Sequence, residues 1–166
     1  MISLFYAGAL GLFAIILALL TVRQRFKTEI SLGTGESEEL LAAQRAHGNF
    51  IEYALIFLVL SFALEIIGEV PDLAIIIFGD IFLLARISHA YTLLGGGNII
   101  FRQMGIMFSW LVILTQSIWA MIISGPMLIS NLFGWKVQAC INEFYRTVRI
   151  DSCSKNSALG GSNSLF

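Results

Sequence analysis

Long apolar runs separated by short polar segments dominate the pattern of the chain. The first run, residues 2–22, holds no charged residue and is followed at once by Arg23, Arg25 and Lys27. As a helix it would be ~31 Å long, which matches a hydrocarbon core of about 30 Å. The pattern therefore predicts a membrane-spanning first helix whose end is anchored by basic residues.

The second apolar run follows a polar loop, residues 28–37. Ser37 is suited to cap the N-terminus of a helix, and Glu38 and Glu39 are favourable in its first turn. This helix is expected to extend to about residue 67 and is then longer than the bilayer is thick. Its first two turns should therefore stand in water.

The third and fourth runs complete a bundle of four spans. A hairpin at residues 68–72 precedes a third helix, predicted for residues 73–94 and ended by the glycines 95–97. The fourth helix is predicted for residues 103–135, with an end or a kink at Gly125–Pro126. The fold class expected is an all-α integral membrane four-helix bundle.

The C-terminal segment differs in composition from the spans. Residues 1–134 are predicted to form the membrane domain and residues 135–166 a polar, partly disordered tail. Residues 137–150 are suited to a short amphipathic helix on the membrane surface. Cys140 and Cys153 lie in this tail without a CxxC spacing or a nearby histidine pair, so they indicate no metal site.

The amino-acid composition indicates which solvent surrounds most of the protein surface. Of 166 residues, 57% are hydrophobic and 13% charged, against about 25% charged in a typical soluble domain. Lipid is therefore the expected solvent for most of the surface. The formal net charge of −1 gives no field that favours nucleic acid as a partner.

The basic residues also predict an orientation. The two loops on one side of the bundle are flanked by several basic residues, whereas the hairpin and the N-terminus have none. Because basic residues collect on the cytoplasmic side, we expect these loops in the cytoplasm and both termini outside. The basic residues are Arg23, Arg25, Lys27, Arg45 and Arg102.

A polar stripe enters the second apolar run. Arg45, Asn49 and Glu52 are spaced i, i+4, i+7, which puts their side chains within one narrow arc of a helix. Glu52 lies ~10 Å deeper than Arg45. A carboxylate at that depth is costly, which indicates a functional site.

The third helix adds further charge at a similar depth. Arg86 and His89 are spaced i, i+3 and share a face, and Arg86 lies ~13 Å below the end of its helix. A Glu52–Arg86 ion pair is therefore expected. With Arg102 in the following loop, three arginines outnumber one glutamate, and this surplus suggests an anionic ligand.

The same polar groups have a plainer interpretation, because such groups also join membrane helices at about 0.6–2 kcal/mol each. A non-catalytic membrane scaffold therefore stays open as a function. So does a small transport or proton-relay component, suggested by Asp80, Arg86 and Glu52, although four helices are few for a self-contained pathway. Asp80 has no assigned role. Glu65 has none either, because it lies close enough to the end of its helix to extend to the interface.

Three motifs resemble those of the membrane-associated proteins in eicosanoid and glutathione metabolism (MAPEG). They are residues 45–53, RAHGNFIEY, residues 85–89, ARISH, and Arg102, thirteen residues beyond His89. The resemblance runs from about residue 4 to residue 123 and is nearest to the small bacterial members. It departs from the family at Leu93, where a tyrosine is frequent, at Leu55, where proline is usual, and at residues 106–107, where aromatic and hydroxyl groups are expected.

The resemblance implies a homotrimer in a bacterial inner membrane that binds glutathione between protomers near the cytoplasmic face. It implies a glutathione-dependent transferase or peroxidase acting on a lipophilic small molecule, with glutathione as co-substrate and no metal. Arg102 is the implied catalytic residue, which stabilises the glutathione thiolate. The implied glutathione-binding residues are Arg23, Arg45, Asn49, Glu52, Arg86 and His89.

Overall fold

Four α-helices follow one another along the chain in a computed structural model, which describes the backbone of residues 1–159 and the side chains of residues 1–134 apart from Met127. They are α1 (Ser3–Thr28), α2 (Glu38–Ile66), α3 (Asp72–Leu93) and α4 (Ile99–Leu159). Each contains a stretch that is long and apolar enough to cross a membrane. No strand occurs in the described backbone, so the all-α, four-span prediction is confirmed.

The chain divides into two compact units, Met1–Met121 and Ile122–Phe166. In the second unit Pro126 lies inside α4, so the helix does not end at Gly125–Pro126, and the predicted alternative of a kink there stays a prediction. Membrane helices tolerate proline when neighbouring groups satisfy the freed backbone carbonyl. The predicted boundary at residue 134 and the partly disordered tail stay predictions, and residues 160–166 lie outside the described part of the chain.

Local side-chain and backbone signals set the ends of α2 and α3. The Ser37 hydroxyl accepts a hydrogen bond from the Leu40 N–H at 3.2 Å, which confirms the predicted N-cap. Gly95 and Gly97 have φ angles of 95° and 144° just beyond α3. Such angles favour glycine, so the glycine run ends the helix as predicted.

The start of α4 differs from the prediction. The Ile100 N–H donates to the Asn98 side-chain oxygen at 3.2 Å, which satisfies one of the free N–H groups at the helix start. α4 therefore begins at Ile99. Arg102 lies in the first turn of α4, and the prediction that it lies in a loop is wrong.

An aromatic core joins the helices. Phe57 of α2 stacks on Phe82 of α3 with ring centroids 4.2 Å apart. Phe13 of α1 meets Phe50 of α2 edge-on at 5.0 Å, and Val112 of α4 is buried in the same cluster. Most large side chains outside this core are apolar and exposed, which suits contact with lipid tails.

A carboxylate from α2 caps the N-terminus of α1. Glu65 accepts hydrogen bonds from the backbone N–H groups of Ile2 and, at 2.9 Å, Ser3. The Met1 ammonium lies 3.4 Å from the same carboxylate, whose side chain is 8% exposed. The free N–H groups and partial positive charge of a helix start favour a carboxylate there, so Glu65, to which the sequence assigned no role, caps α1.

Candidate functional site

The polar stripe of α2 lines an open pocket of about 260 Å³. Arg45 and Glu52 are exposed on it and Asn49 is half-buried, so the structure brings these three predicted residues together. Every lining residue belongs to α2, which leaves the pocket open on its outer side. The full lining is Leu41, Gln44, Arg45, Gly48, Asn49 and Glu52.

Arg86 of α3 lies behind Asn49 and is 1% exposed. Its Nη2 atom donates to the Asn49 side-chain oxygen at 2.7 Å. Its guanidinium carbon lies 5.0 Å from the centroid of the Tyr53 ring, within the range of a cation–π contact. Arg86 is therefore held by two residues of α2.

The predicted Glu52–Arg86 ion pair is wrong, since no such pair forms among the described side chains. Asn49 and Glu52 are three residues apart, so their directions differ by about 60° around the helix. Asn49 points to Arg86, whereas Glu52 is exposed on the pocket. The spacing of Arg45, Asn49 and Glu52 correctly predicted that they share one side of α2. It did not predict which of the three side chains faces α3.

Tyr53 is in turn held by α4. The Trp110 indole N–H donates to the Tyr53 hydroxyl at 3.0 Å. Neither Tyr53 nor Trp110 had a predicted role. The i, i+4 spacing of Asn49 and Tyr53 is a sequence signal that puts both on one face. The contact of Trp110 with Tyr53 depends on how α4 is aligned against α2, and no local sequence pattern specifies this alignment.

His89 connects α3 to the first turn of α4. It is 4% exposed, and its Nδ1 atom lies 3.3 Å from the Arg102 carbonyl oxygen. Because a carbonyl only accepts, Nδ1 is the protonated nitrogen in this contact. Gly105 permits the approach, since a Cβ there would lie 2.6 Å from the Ala85 carbonyl oxygen and 3.0 Å from the His89 Cβ.

Like Arg86, the predicted site residues Arg102 and Arg23 lie outside the pocket lining. The Arg102 side chain is half-buried, and Arg23 is exposed near the end of α1. Neither side chain has a hydrogen bond or ion pair with another described residue. No cluster of histidine, cysteine or acidic residues suited to a metal ion occurs within the described part of the chain.

An apolar groove of about 320 Å³ runs between α3 and α4. The Ser88 hydroxyl at its edge donates to the Phe101 carbonyl at 3.3 Å. Phe101 directly precedes Arg102, so the groove borders the turn that carries the predicted catalytic residue. The lining is Ile81, Leu84, Ala85, Ser88, Phe101, Met104, Gly105 and Phe108.

Asp80, which had no assigned role, is hydrogen-bonded to α1. The Tyr6 hydroxyl lies 2.7 Å from the Asp80 carboxylate and 3.0 Å from the Ile76 carbonyl. The Tyr6 ring lies directly over Gly79, where an added Cβ would come within 2.2 Å of it. Gly79 thus allows a buried tyrosine to orient the Asp80 carboxylate within the third span.

The part of the chain that holds the pocket and the groove is similar to a known protein family. The sequence pattern of the MAPEG family matches residues 3–122. The chain belongs to the MAPEG family. This MAPEG match covers α1, α2, α3 and the part of α4 that carries Arg102 and Trp110, so it includes both the pocket and the groove.

Curated relatives agree with MAPEG membership. The chain is 30% identical over 126 residues to the inner membrane protein YecN of Escherichia coli strain K12, an alignment that covers 73% of this chain and 93% of YecN. YecN of Escherichia coli O6:H1 strain CFT073 gives the same values. No solved structure matches the chain at a significant level.

Proposed function

We propose that this MAPEG protein is a glutathione-dependent transferase or peroxidase of a bacterial inner membrane that acts on lipophilic electrophiles. The observation that carries the proposal is the pocket on α2, where Arg45 and Glu52 place opposite charges on either side of Asn49. The apolar groove between α3 and α4 supports an apolar second substrate.

The pocket suits the charged ends of glutathione. Asn49 uses its side-chain oxygen to accept from Arg86, so its amide NH₂ group is left to donate to a ligand. Arg45 adds a guanidinium that can bind a carboxylate in bidentate fashion, and Glu52 can accept from an ammonium. An α-amino acid end of the tripeptide, with one ammonium and one carboxylate, complements this arrangement.

Arg102 supplies the chemistry in this proposal. A cation within about 4–6 Å of a thiol lowers the thiol pKa, and the thiolate is the nucleophile. In the transferase reaction the thiolate sulfur bonds to the electrophilic carbon, and the leaving group departs with the bonding electron pair. Arg102 need not transfer a proton, since its charge alone favours the thiolate.

The proposed site faces the cytoplasm and is shared between protomers of a homotrimer. Within one chain the pocket is lined by α2 alone, and Arg23, the remaining predicted glutathione-binding cation, has no partner among the described residues. A neighbouring copy would cover the open side of the pocket and could bring its own Arg23 to it.

Glutathione binding to the full-length, detergent-solubilised protein tests the proposal. Isothermal titration should detect binding to the parent, and Arg45→Ala should weaken it about 10-fold or more, as expected for a lost charged hydrogen bond. Lys27→Ala, which removes an exposed cation outside the pocket, should bind like the parent. A parent that does not bind glutathione, or equal losses in both variants, would contradict the proposal.

A further inference from the structure

We infer that Trp110 is a positioning residue for the glutathione pocket. It acts through Tyr53 and Arg86 and orients the side-chain amide of Asn49, so that the NH₂ group faces the ligand. The inference rests on the proposed function of the pocket. Trp110 is not part of the pocket lining, so within one chain its effect on glutathione passes through other side chains.

Three consecutive contacts join Trp110 to the pocket. The Trp110 indole donates to the Tyr53 hydroxyl at 3.0 Å. The Tyr53 ring lies 5.0 Å from the Arg86 guanidinium carbon, and Arg86 donates to Asn49 at 2.7 Å. The contacts pass from α4 to α2, then to α3 and back to α2, so they fix the relative positions of three helices beside the pocket.

The first contact is favoured by the surroundings of Trp110. Its side chain is 55% exposed within the apolar stretch of α4. An indole N–H that faces hydrocarbon has no water to bond to, and leaving it without an acceptor is costly. The Tyr53 hydroxyl is the acceptor that the structure provides, so the indole holds the Tyr53 ring in place.

The position of the Arg86 guanidinium depends on the Tyr53 ring. Its Nε and Nη1 atoms have no hydrogen-bond partner among the described residues, so Asn49 and the Tyr53 ring are the polar contacts that locate its guanidinium. If the ring moves, Arg86 loses one of these two contacts. Asn49 can then turn its amide and present an oxygen to the pocket, which would repel a ligand carboxylate.

The test compares the affinity for glutathione of four full-length variants with that of the parent. Trp110→Phe removes the indole donor, and Tyr53→Phe removes its acceptor but keeps the ring. Each should weaken glutathione binding by about 3- to 10-fold, the range for one hydrogen bond. The double variant should be no weaker than either single variant, because both remove the same contact.

Trp119→Phe is the matched control. Trp119 also lies in the apolar part of α4, where its ring meets Phe78 edge-on at a centroid distance of 6.1 Å. It takes no part in the three contacts, so this variant should bind glutathione like the parent. Thermal unfolding of every variant separates a loss of affinity from a loss of folding.

The outcomes distinguish this inference from the proposed function. If the parent does not bind glutathione, the proposed function fails and the inference fails with it. If the parent binds and Trp110→Phe binds equally well, the inference alone is overturned. Additive losses in the double variant, or a loss in Trp119→Phe as large as in Trp110→Phe, would overturn it too.

Discussion

At the scale of single residues, the position of Arg86 decides how the candidate site is built. A buried arginine is costly unless polar groups satisfy it, and here Asn49 and the Tyr53 ring serve in place of the predicted Glu52. Glu52 is thereby left exposed on the pocket. The hydrogen bond to Asn49 makes Arg86 a support for that side chain, and the predicted contact of Arg86 with glutathione stays a prediction.

We expect the charge of Arg102 to be needed for thiolate formation but not for folding. Its half-buried side chain has no partner among the described residues, so Arg102→Ala should melt like the parent. Because a nearby cation lowers the thiol pKa, Arg102→Ala should reduce the ultraviolet thiolate absorbance of bound glutathione and slow the conjugation of a model electrophile.

Arg102→Lys is the control for charge. It should keep part of the absorbance and of the rate, since it retains the charge and loses only the planar fork. An alanine variant that forms thiolate and turns over like the parent would disprove the electrostatic role of Arg102. Loss of folding in both variants would instead indicate a structural role.

At the scale of secondary structure elements, the sequence predicts the interiors of the helices better than the contacts between them. The charge-free run of residues 2–22 and the Ser37 cap are local features, and both are found as predicted. The Asn98 cap that moves Arg102 into α4 is also local and was missed. The Trp110–Tyr53 and Tyr6–Asp80 contacts join residues 57 and 74 positions apart, so they depend on helix alignment, which periodicity does not encode.

The Glu65 cap on α1 leads to a prediction about helix ends. Glu65→Gln keeps the shape of the side chain and removes the charge that faces the N-terminus of α1. We expect the free energy of unfolding to fall by about 1–2 kcal/mol, from a weaker hydrogen bond and a lost interaction with the helix dipole. Thermal unfolding in detergent measures the change.

Glu69→Gln is the matched control, since Glu69 lies in the adjoining hairpin and is exposed. Exposed substitutions of this kind usually change stability by less than about 0.5 kcal/mol. If both variants melt at the same temperature, the cap contributes nothing that can be measured. If only Glu65→Gln is destabilised, the carboxylate joins the start of α1 to the end of α2.

At the scale of the whole molecule, the location of the pocket suggests that a second copy of the chain covers it. Its lining comes from a single helix, and Arg45 and Glu52 are exposed on an otherwise apolar protein. Charged groups within a membrane protein normally face a protein interior or a wet cavity. A second copy against α2 would provide such surroundings, which is the physical argument for the proposed homotrimer.

Native mass spectrometry in mild detergent should therefore show a trimer, and glutathione should stabilise it. A ligand held between protomers binds the assembled form, so mass action should raise the unfolding temperature of the trimer as glutathione is added. Arg45→Ala should still assemble, because it leaves the apolar contacts intact, but should gain little from glutathione. A protein found only as a monomer in mild detergent would contradict the proposed homotrimer. A monomer that binds glutathione as tightly as the trimer does would contradict the site shared between protomers.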